Sequence, residues 1–201
     1  MKQKHVTINR LIKENGFVNY LEIGYGKGNN FRLIECEHKV GIDPDITEEN
    51  LSDDFSILKR NSDEFFEEMG KSKTKFDIVL IDGLHHADQV ERDILNAWDR
   101  TKVGGFILLY DIVPPSEVAQ RIPRQQEQWT GDVWRSYVGF RMKYPDVDSR
   151  YYPEKYGLGC IVRSRHKVEP GFVESEMKYS EFEANRAELL GTDDHFSQKY
   201  L

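Results

Sequence analysis

The chain has 201 residues, of which 38% are hydrophobic and 31% charged, and a net charge of −7. That composition excludes a disordered or membrane-embedded chain and allows one well-buried core. The acidic balance also argues against a protein that lives on nucleic acid, where a basic patch supplies most of the affinity.

The N-terminal run MKQKHVTINRLIKENGF has no apolar stretch of the kind a secretion signal carries, and nothing in the chain approaches a membrane span. A cytoplasmic protein is expected. Cys36 and Cys160 lie far apart without metal-ligand spacing, which predicts two inert thiols.

In chain order, Ile8, Leu11 and Ile12 after Thr7 make an amphipathic stripe that Asn15-Gly16 should end. Residues 18–31, VNYLEIGYGKGNNF, come next. Their apolar run carries the carboxylate of Glu22 and breaks into glycines at 24, 26 and 28. Glycines this close together predict a sharp turn after a strand, with a ligand pressed against the backbone. A second helix is expected to open near Gly28 and carry Phe31, Leu33 and Ile34 inward. Lys39 to Ile42 then form a short strand ending in Asp43, nineteen residues after Gly24. A glycine turn followed at that distance by an acidic residue is the layout that grips a ribose diol in a doubly wound sheet.

Phe55 to Leu58 read as a weak third strand, and Asn61-Ser62-Asp63 as the cap of a helix containing Phe65, Phe66 and Met69. Phe76 to Asp82 is the clearest strand, a near-continuous apolar run of the kind buried on both faces. Ala87, Val90, Ile94, Ala97 and Trp98 follow at helical spacing, with Asp88 in the first turn. Lys102 to Gly105 should turn into a fifth strand, Phe106 to Tyr110, ending in Asp111. Pro114-Pro115 breaks the pattern, and 121–128 is loosely patterned. A helix is predicted over 132–143, with Val133, Trp134, Tyr137, Val138 and Phe140 inward, before strands at 149–152 and 158–162. Strands alternating with helices predict a three-layer, doubly wound Rossmann-like α/β sheet of seven strands, mostly parallel with a final antiparallel strand. Beyond 166 the chain is acid-rich with scattered aromatics (Phe172, Tyr179, Phe182, Phe196), a tail expected to pack on its own domain or on a second subunit.

The dinucleotide fingerprint wants G-x-G-x-x-G, but Asn29 stands where its third glycine would fall. The E-x-G-x-G-x-G form resembles the first motif of class I S-adenosylmethionine-dependent methyltransferases. The later run IDGLHH, a helix, GG, an apolar strand and DI resemble their small-molecule and sugar O-methyltransferase branch (methyltransferase domain family 24). The resemblance covers residues 17–112, and more faintly Gly131 to Trp134 and Gly157 to Gly159. It implies that S-adenosylmethionine is held by Glu22 at its methionine end and by the turn of Gly24, Tyr25, Gly26 and Gly28. It also implies Asp43 on the ribose, Asn61-Ser62-Asp63 against the adenine, and Asp82 near the reacting end. A single methyltransferase domain is expected over 1–165, with 113–157 on the acceptor side and 166–201 as the tail.

Ligands in such sheets lie beyond the carboxyl ends of the strands, which is where Asp82, His85, His86 and Asp111 should converge. An alcohol is a poor nucleophile at pH 7, so methyl transfer to it profits from alignment and from a base. The resemblance makes His85 that base, with Asp82 and Asp111 as catalytic partners; His86 is expected to support them or cap the next helix. Asp82 and Asp111 are also candidate ligands for Mg²⁺, which accepts two carboxylates plus waters. Metal-dependent relatives place a third polar ligand beside the strand-five aspartate; here the neighbours are Tyr110 and Ile112. Trp129, Trp134, Tyr151 and Tyr152 either line an acceptor pocket or pack the core.

The function expected is O-methylation of a small polar metabolite, a sugar or nucleotide-sugar, by a protein that needs neither nucleic acid nor membrane; its oligomeric state is open, with the tail as the place for the contact of a homodimer. Two rivals remain: a non-catalytic cofactor-binding scaffold, and an NAD(P)-dependent oxidoreductase, against which the glycine spacing and the histidine–carboxylate group both speak.

Overall fold

The computed structural model describes residues 3–47, 57–70 and 72–191, so Phe55, Ser56 and Phe196 lie outside the described residues. Helix α1 (Lys4–Asn15) buries Thr7, Ile8, Leu11 and Ile12, and Gly16 ends it in the left-handed conformation. Strands β1 (Asn19–Ile23), β2 (His38–Ile42), β3 (Ile57–Leu58), β4 (Phe76–Ile81), β5 (Thr101–Tyr110), β6 (Ser149–Tyr152) and β7 (Leu158–Val162) form one sheet in the order β3-β2-β1-β4-β5-β7-β6. The first five run parallel; β7 enters antiparallel between β5 and β6.

Side chains alternate across this sheet and build two cores. Leu21, Ile23, Val79, Ile81, Ile107 and Leu109 face α2 (Ser62–Met69), α3 (Ala87–Arg100) and α4 (Val133–Lys143). Tyr20, Ile78, Leu80, Phe106 and Leu108 face α1 and the segment around Phe31. Within the parallel part, β2 and β3 lie to one side of β1, β4 and β5 to the other. The strand order therefore reverses between β1 and β4, and a crevice opens at their carboxyl ends.

Three expectations need correction. No α-helix follows the glycine turn; only a single 3₁₀ turn at Phe31–Leu33 does. Phe31 and Ile34 point inward as expected, but Leu33 is 49% exposed. The physical reason is that other groups satisfy this backbone. Lys39 Nζ donates to the carbonyls of Phe31 and Ile34 at 3.2 and 3.1 Å, and Asn9 of α1 donates to that of Leu33 at 2.8 Å. Secondly, β5 begins at Thr101, before its glycines, and absorbs Lys102 to Gly105 as an irregularity in its pairing with β4. Thirdly, His86 does not cap α3 with its side chain; Asp132, 45 positions away in the chain, accepts from the Ala87 N–H at 2.7 Å.

Beyond residue 166 the described chain lies across α3 and α4. Glu91 of α3 accepts from the N–H groups of Gly171 and Phe172, and Arg135 of α4 donates to the carbonyls of Glu174 and Met177. Phe182, on α5 (Tyr179–Ala184), is fully buried with its ring 4.4 Å from that of Trp134; α6 (Arg186–Leu190) adds the buried Leu190. Trp134 is thus a core residue, the blander of its two readings. Phe182→Ala is expected to cost about 3–5 kcal/mol through the cavity it leaves, measured as a shift in denaturation midpoint at unchanged m. Among the described residues, no helix is long and apolar enough to cross a membrane.

Candidate active site

The crevice at the switch point is a cleft of about 1270 Å³, bordered by Glu22, Gly24, Tyr25, Gly26, Asp43, Ser62, Asp63, Asp82 and His85 among others. Gly28 and Asp111, also singled out in the sequence, are buried and do not line it.

The glycines act in different ways. A Cβ on Gly24, whose φ is +92°, would lie 2.0 Å from the Asp82 carbonyl oxygen, so the β1 turn can pass β4 only without a side chain. Gly24→Ala is expected to destabilise the fold by about 2–5 kcal/mol, from strain and overlap together, checked by urea denaturation. A Cβ on Gly28 would meet the Tyr25 hydroxyl at 2.3 Å. The Tyr25 ring, which borders the cleft, packs edge-on against Phe31 at 5.3 Å, so Gly28 makes room for a core aromatic.

Beyond the turn, the Gly26 N–H donates to Asp43 at 2.8 Å and the Asp45 N–H to its other oxygen at 2.8 Å, which fixes the carboxylate at the end of β2. Glu22 is buried, accepting from the Tyr20 hydroxyl at 2.5 Å and from Asn30 at 2.9 Å. Burial pushes its pKa up to about 7, even though both hydrogen bonds pull the other way.

At the start of α2, Asn61 and Glu64 form a capping box that sets Ser62 and Asp63 in place. The Gln89 amide nitrogen of α3 reaches Ser62, Asp63 and the buried Asp93 at 3.1, 3.3 and 3.0 Å. Burial lifts the Asp93 pKa to about 6.

The catalytic candidates do converge. His85 Nε2 is 3.3 Å from Asp82 Oδ1, and its Nδ1 is 3.4 Å from Asp111 Oδ2. Asp111 has a φ of +64°, unusual for a residue with a side chain, and this backbone conformation directly follows β5. The Gly131 turn braces His85 from behind: the Asp132 N–H donates to the His85 carbonyl at 3.2 Å, and a Cβ on Gly131 would lie 1.9 Å from that oxygen. Trp129 stacks on the imidazole, centroids 5.6 Å apart and planes within 17°. His86 meets the same indole edge-on at 6.3 Å.

Burial works against a charged imidazole, but Asp82 and Asp111 outweigh it and raise the His85 pKa. Burial, reinforced by the Asp82 charge, pushes Asp111 up to about 7 against the pull of His85. Asp82 stays low despite its burial because Lys4 and His85 both favour the carboxylate.

Sequence reasoning missed Lys4. From the first turn of α1 its ammonium donates to Asp82 Oδ2 and sits 4.2 Å from the centre of the Tyr110 ring. Tyr20, Asn30, Gln89 and Asp93 were missed as well, since each finds its place through packing rather than motif. One ligand-capable atom each from Asp82, His85 and Asp111 lie within 4.8 Å of one another, a group right in kind for a divalent cation. Of the Asp111 neighbours, however, Ile112 is fully buried in the core and Tyr110 lies beneath Lys4. With the Lys4 ammonium on Asp82, these residues do not fit a resident metal ion.

A doubly wound sheet with a glycine turn after β1, a carboxylate after β2 and a β7 strand inserted antiparallel is the architecture of class I S-adenosylmethionine-dependent methyltransferases. Residues 21–112, a little under half of the chain, match the model of the methyltransferase domain family. Solved structures agree on the fold. An O-methyltransferase from Bacillus cereus in complex with SAH is 18% identical, with 79% of this chain and 80% of that one covered and a TM-score of 0.58. TomG, an O-methyltransferase of tomaymycin synthesis from Streptomyces achromogenes bound to SAM, gives 13%, 80%, 79% and 0.57 in the same order. The MycE methyltransferase of mycinamycin biosynthesis, in complex with Mg, SAH and mycinamycin VI, gives 16%, 82%, 51% and 0.53. A search of the curated proteins found no significant match.

Proposed function

We propose that the protein is an S-adenosylmethionine-dependent O-methyltransferase acting on a hydroxyl of a small polar metabolite of the sugar or nucleotide-sugar class. The observation that carries this reading is His85, an imidazole held between two carboxylates at the mouth of a cleft with nucleoside-binding features.

In this reading, S-adenosylmethionine supplies an electrophilic methyl group on a sulfonium. Asp43, already oriented by two backbone N–H groups, accepts from the ribose hydroxyls. Ser62 and Asp63 meet the adenine, their positions set by the capping box and Gln89. Glu22 favours the cationic methionine end. Neutral His85 takes the proton of the acceptor hydroxyl, and the carboxylates of Asp82 and Asp111 stabilise the imidazolium that results. Holding the oxygen in line with the methyl group removes orientational freedom that would otherwise cost several kcal/mol. A polar acceptor is favoured by the charges nearby: Arg124 lies 5.9 Å over the Trp129 ring and Lys155 borders the cleft.

Calorimetric titration with S-adenosylhomocysteine tests the reading. The wild type is expected to bind one equivalent, and Asp43→Ala to weaken binding at least about tenfold, the scale of one charge-assisted hydrogen bond lost. No binding by the wild type would overturn it.

A further inference from the structure

We propose that Lys4 is the built-in cation of the Asp82–His85–Asp111 group, its ammonium standing where a divalent ion would otherwise bind. The consequence for catalysis, methyl transfer without a metal, rests on the function proposed above; the ion-binding behaviour does not.

The placement of Lys4 follows from the packing of α1. Ile8, Leu11 and Ile12 anchor that helix to the sheet, and the Thr7 hydroxyl donates to the buried carboxylate of Glu154. The first helical turn is therefore held over the carboxyl ends of β4 and β5, and the lysine side chain, 18% exposed, reaches inward to Asp82. Its ammonium has two partners of complementary kind, a carboxylate and the face of Tyr110.

An aromatic face suits an ammonium and serves a hydrated dication poorly, because Mg²⁺ keeps its waters and asks for oxygen ligands. Charge balance agrees. Two carboxylates face one lysine and one histidine, and both nitrogens of that histidine already look toward carboxylates. A divalent ion would have to push the ammonium off Asp82 and bring two positive charges beside a group in which Lys4 already offsets one carboxylate. The three donor atoms thus satisfy the distance requirement for a metal while Lys4 satisfies the charge requirement without one.

If so, removing the ammonium should create a metal site. Mn²⁺ binding is read from the electron paramagnetic resonance of the free ion, with and without S-adenosylhomocysteine. Wild type is expected to bind no stoichiometric Mn²⁺. Lys4→Met, which keeps an apolar stem against Tyr110, should gain one site with an affinity at least about tenfold higher, as follows from removing a like charge a few ångström away. Lys4→Met with Asp111→Asn should lose that site again. Stoichiometric Mn²⁺ on the wild type in either condition overturns the proposal. So does a folded Lys4→Met, judged by thermal unfolding, that gains no site; Lys4→Gln repeats the test should the methionine variant misfold. Failure of wild type to bind S-adenosylhomocysteine would count against the cofactor reading alone, because the Mn²⁺ titrations made without S-adenosylhomocysteine do not depend on it.

Discussion

His85→Gln is expected to lower kcat by about 10²–10⁴-fold, the usual worth of a positioned general base, while leaving S-adenosylhomocysteine affinity within about twofold. Glutamine keeps an N–H donor for Asp82 but takes no proton. The pH dependence carries the sharper test. Both neighbouring carboxylates favour the protonated imidazole and raise its pKa, so the base is inactive at low pH. Activity should rise through a pKa above the ordinary histidine value of about 6.5. Asp111→Asn removes one stabilising charge and should move that limb toward lower pH. The effect belongs above about pH 7, where Asp111 itself is ionised. A His85→Gln enzyme with nearly full kcat, or an acid limb that Asp111→Asn leaves in place, would sink the assignment. Measurement is by kcat and kcat/KM across pH with an accepted hydroxyl substrate.

Why some of this site is legible in sequence and some is not follows from how far each interaction reaches along the chain. Glu22, the glycine turn, Asp43, Asp82, His85 and Asp111 all lie at strand ends, where chain order and the switch point of a doubly wound sheet fix their common location. Their convergence needs only the strands, and those are marked by apolar runs. Lys4 meets Asp82 across 78 positions, and Asp132 caps α3 across 45, so no local pattern announces either. The buried set of Gln89 and Asp93 hides inside a helix whose apolar face was read correctly, because a polar residue on the inner side resembles a break in periodicity. The missing helix after the turn has the same origin: Asn9 and Lys39, from elements before and after, satisfy backbone groups that a helix would have paired internally. For Trp129 and Trp134 composition allowed two readings each, and only packing separates the one beside His85 from the one under Phe182.

Glu22→Gln should separate stability from binding. Its pKa rises from 4.5 to about 7 on folding, chiefly because the carboxyl is buried. Below about pH 4.5 the group is protonated whether folded or unfolded and has no effect. Between about pH 4.5 and 7 the unfolded chain loses the proton while the folded one keeps it, so stability falls as pH rises. Above pH 7 the cost levels off at about 3 kcal/mol. The glutamine amide carries no such cost, and the partners present can accept it: Tyr20 still donates to the oxygen, and a turned Asn30 offers its buried and otherwise unpartnered Oδ1 to the new N–H. The variant is therefore expected to be more stable than wild type at pH 8, with a flatter stability curve from pH 5 to 7, by urea denaturation. Cofactor binding should move the opposite way. A cationic methionine end beside Glu22 favours the carboxylate, so binding near pH 7 should release about half a proton from wild type. Calorimetry in buffers of different ionisation enthalpy reads that release directly. Glu22→Gln should bind more weakly and without this contribution from residue 22; equal proton release from both proteins would place the methionine end elsewhere in the cleft.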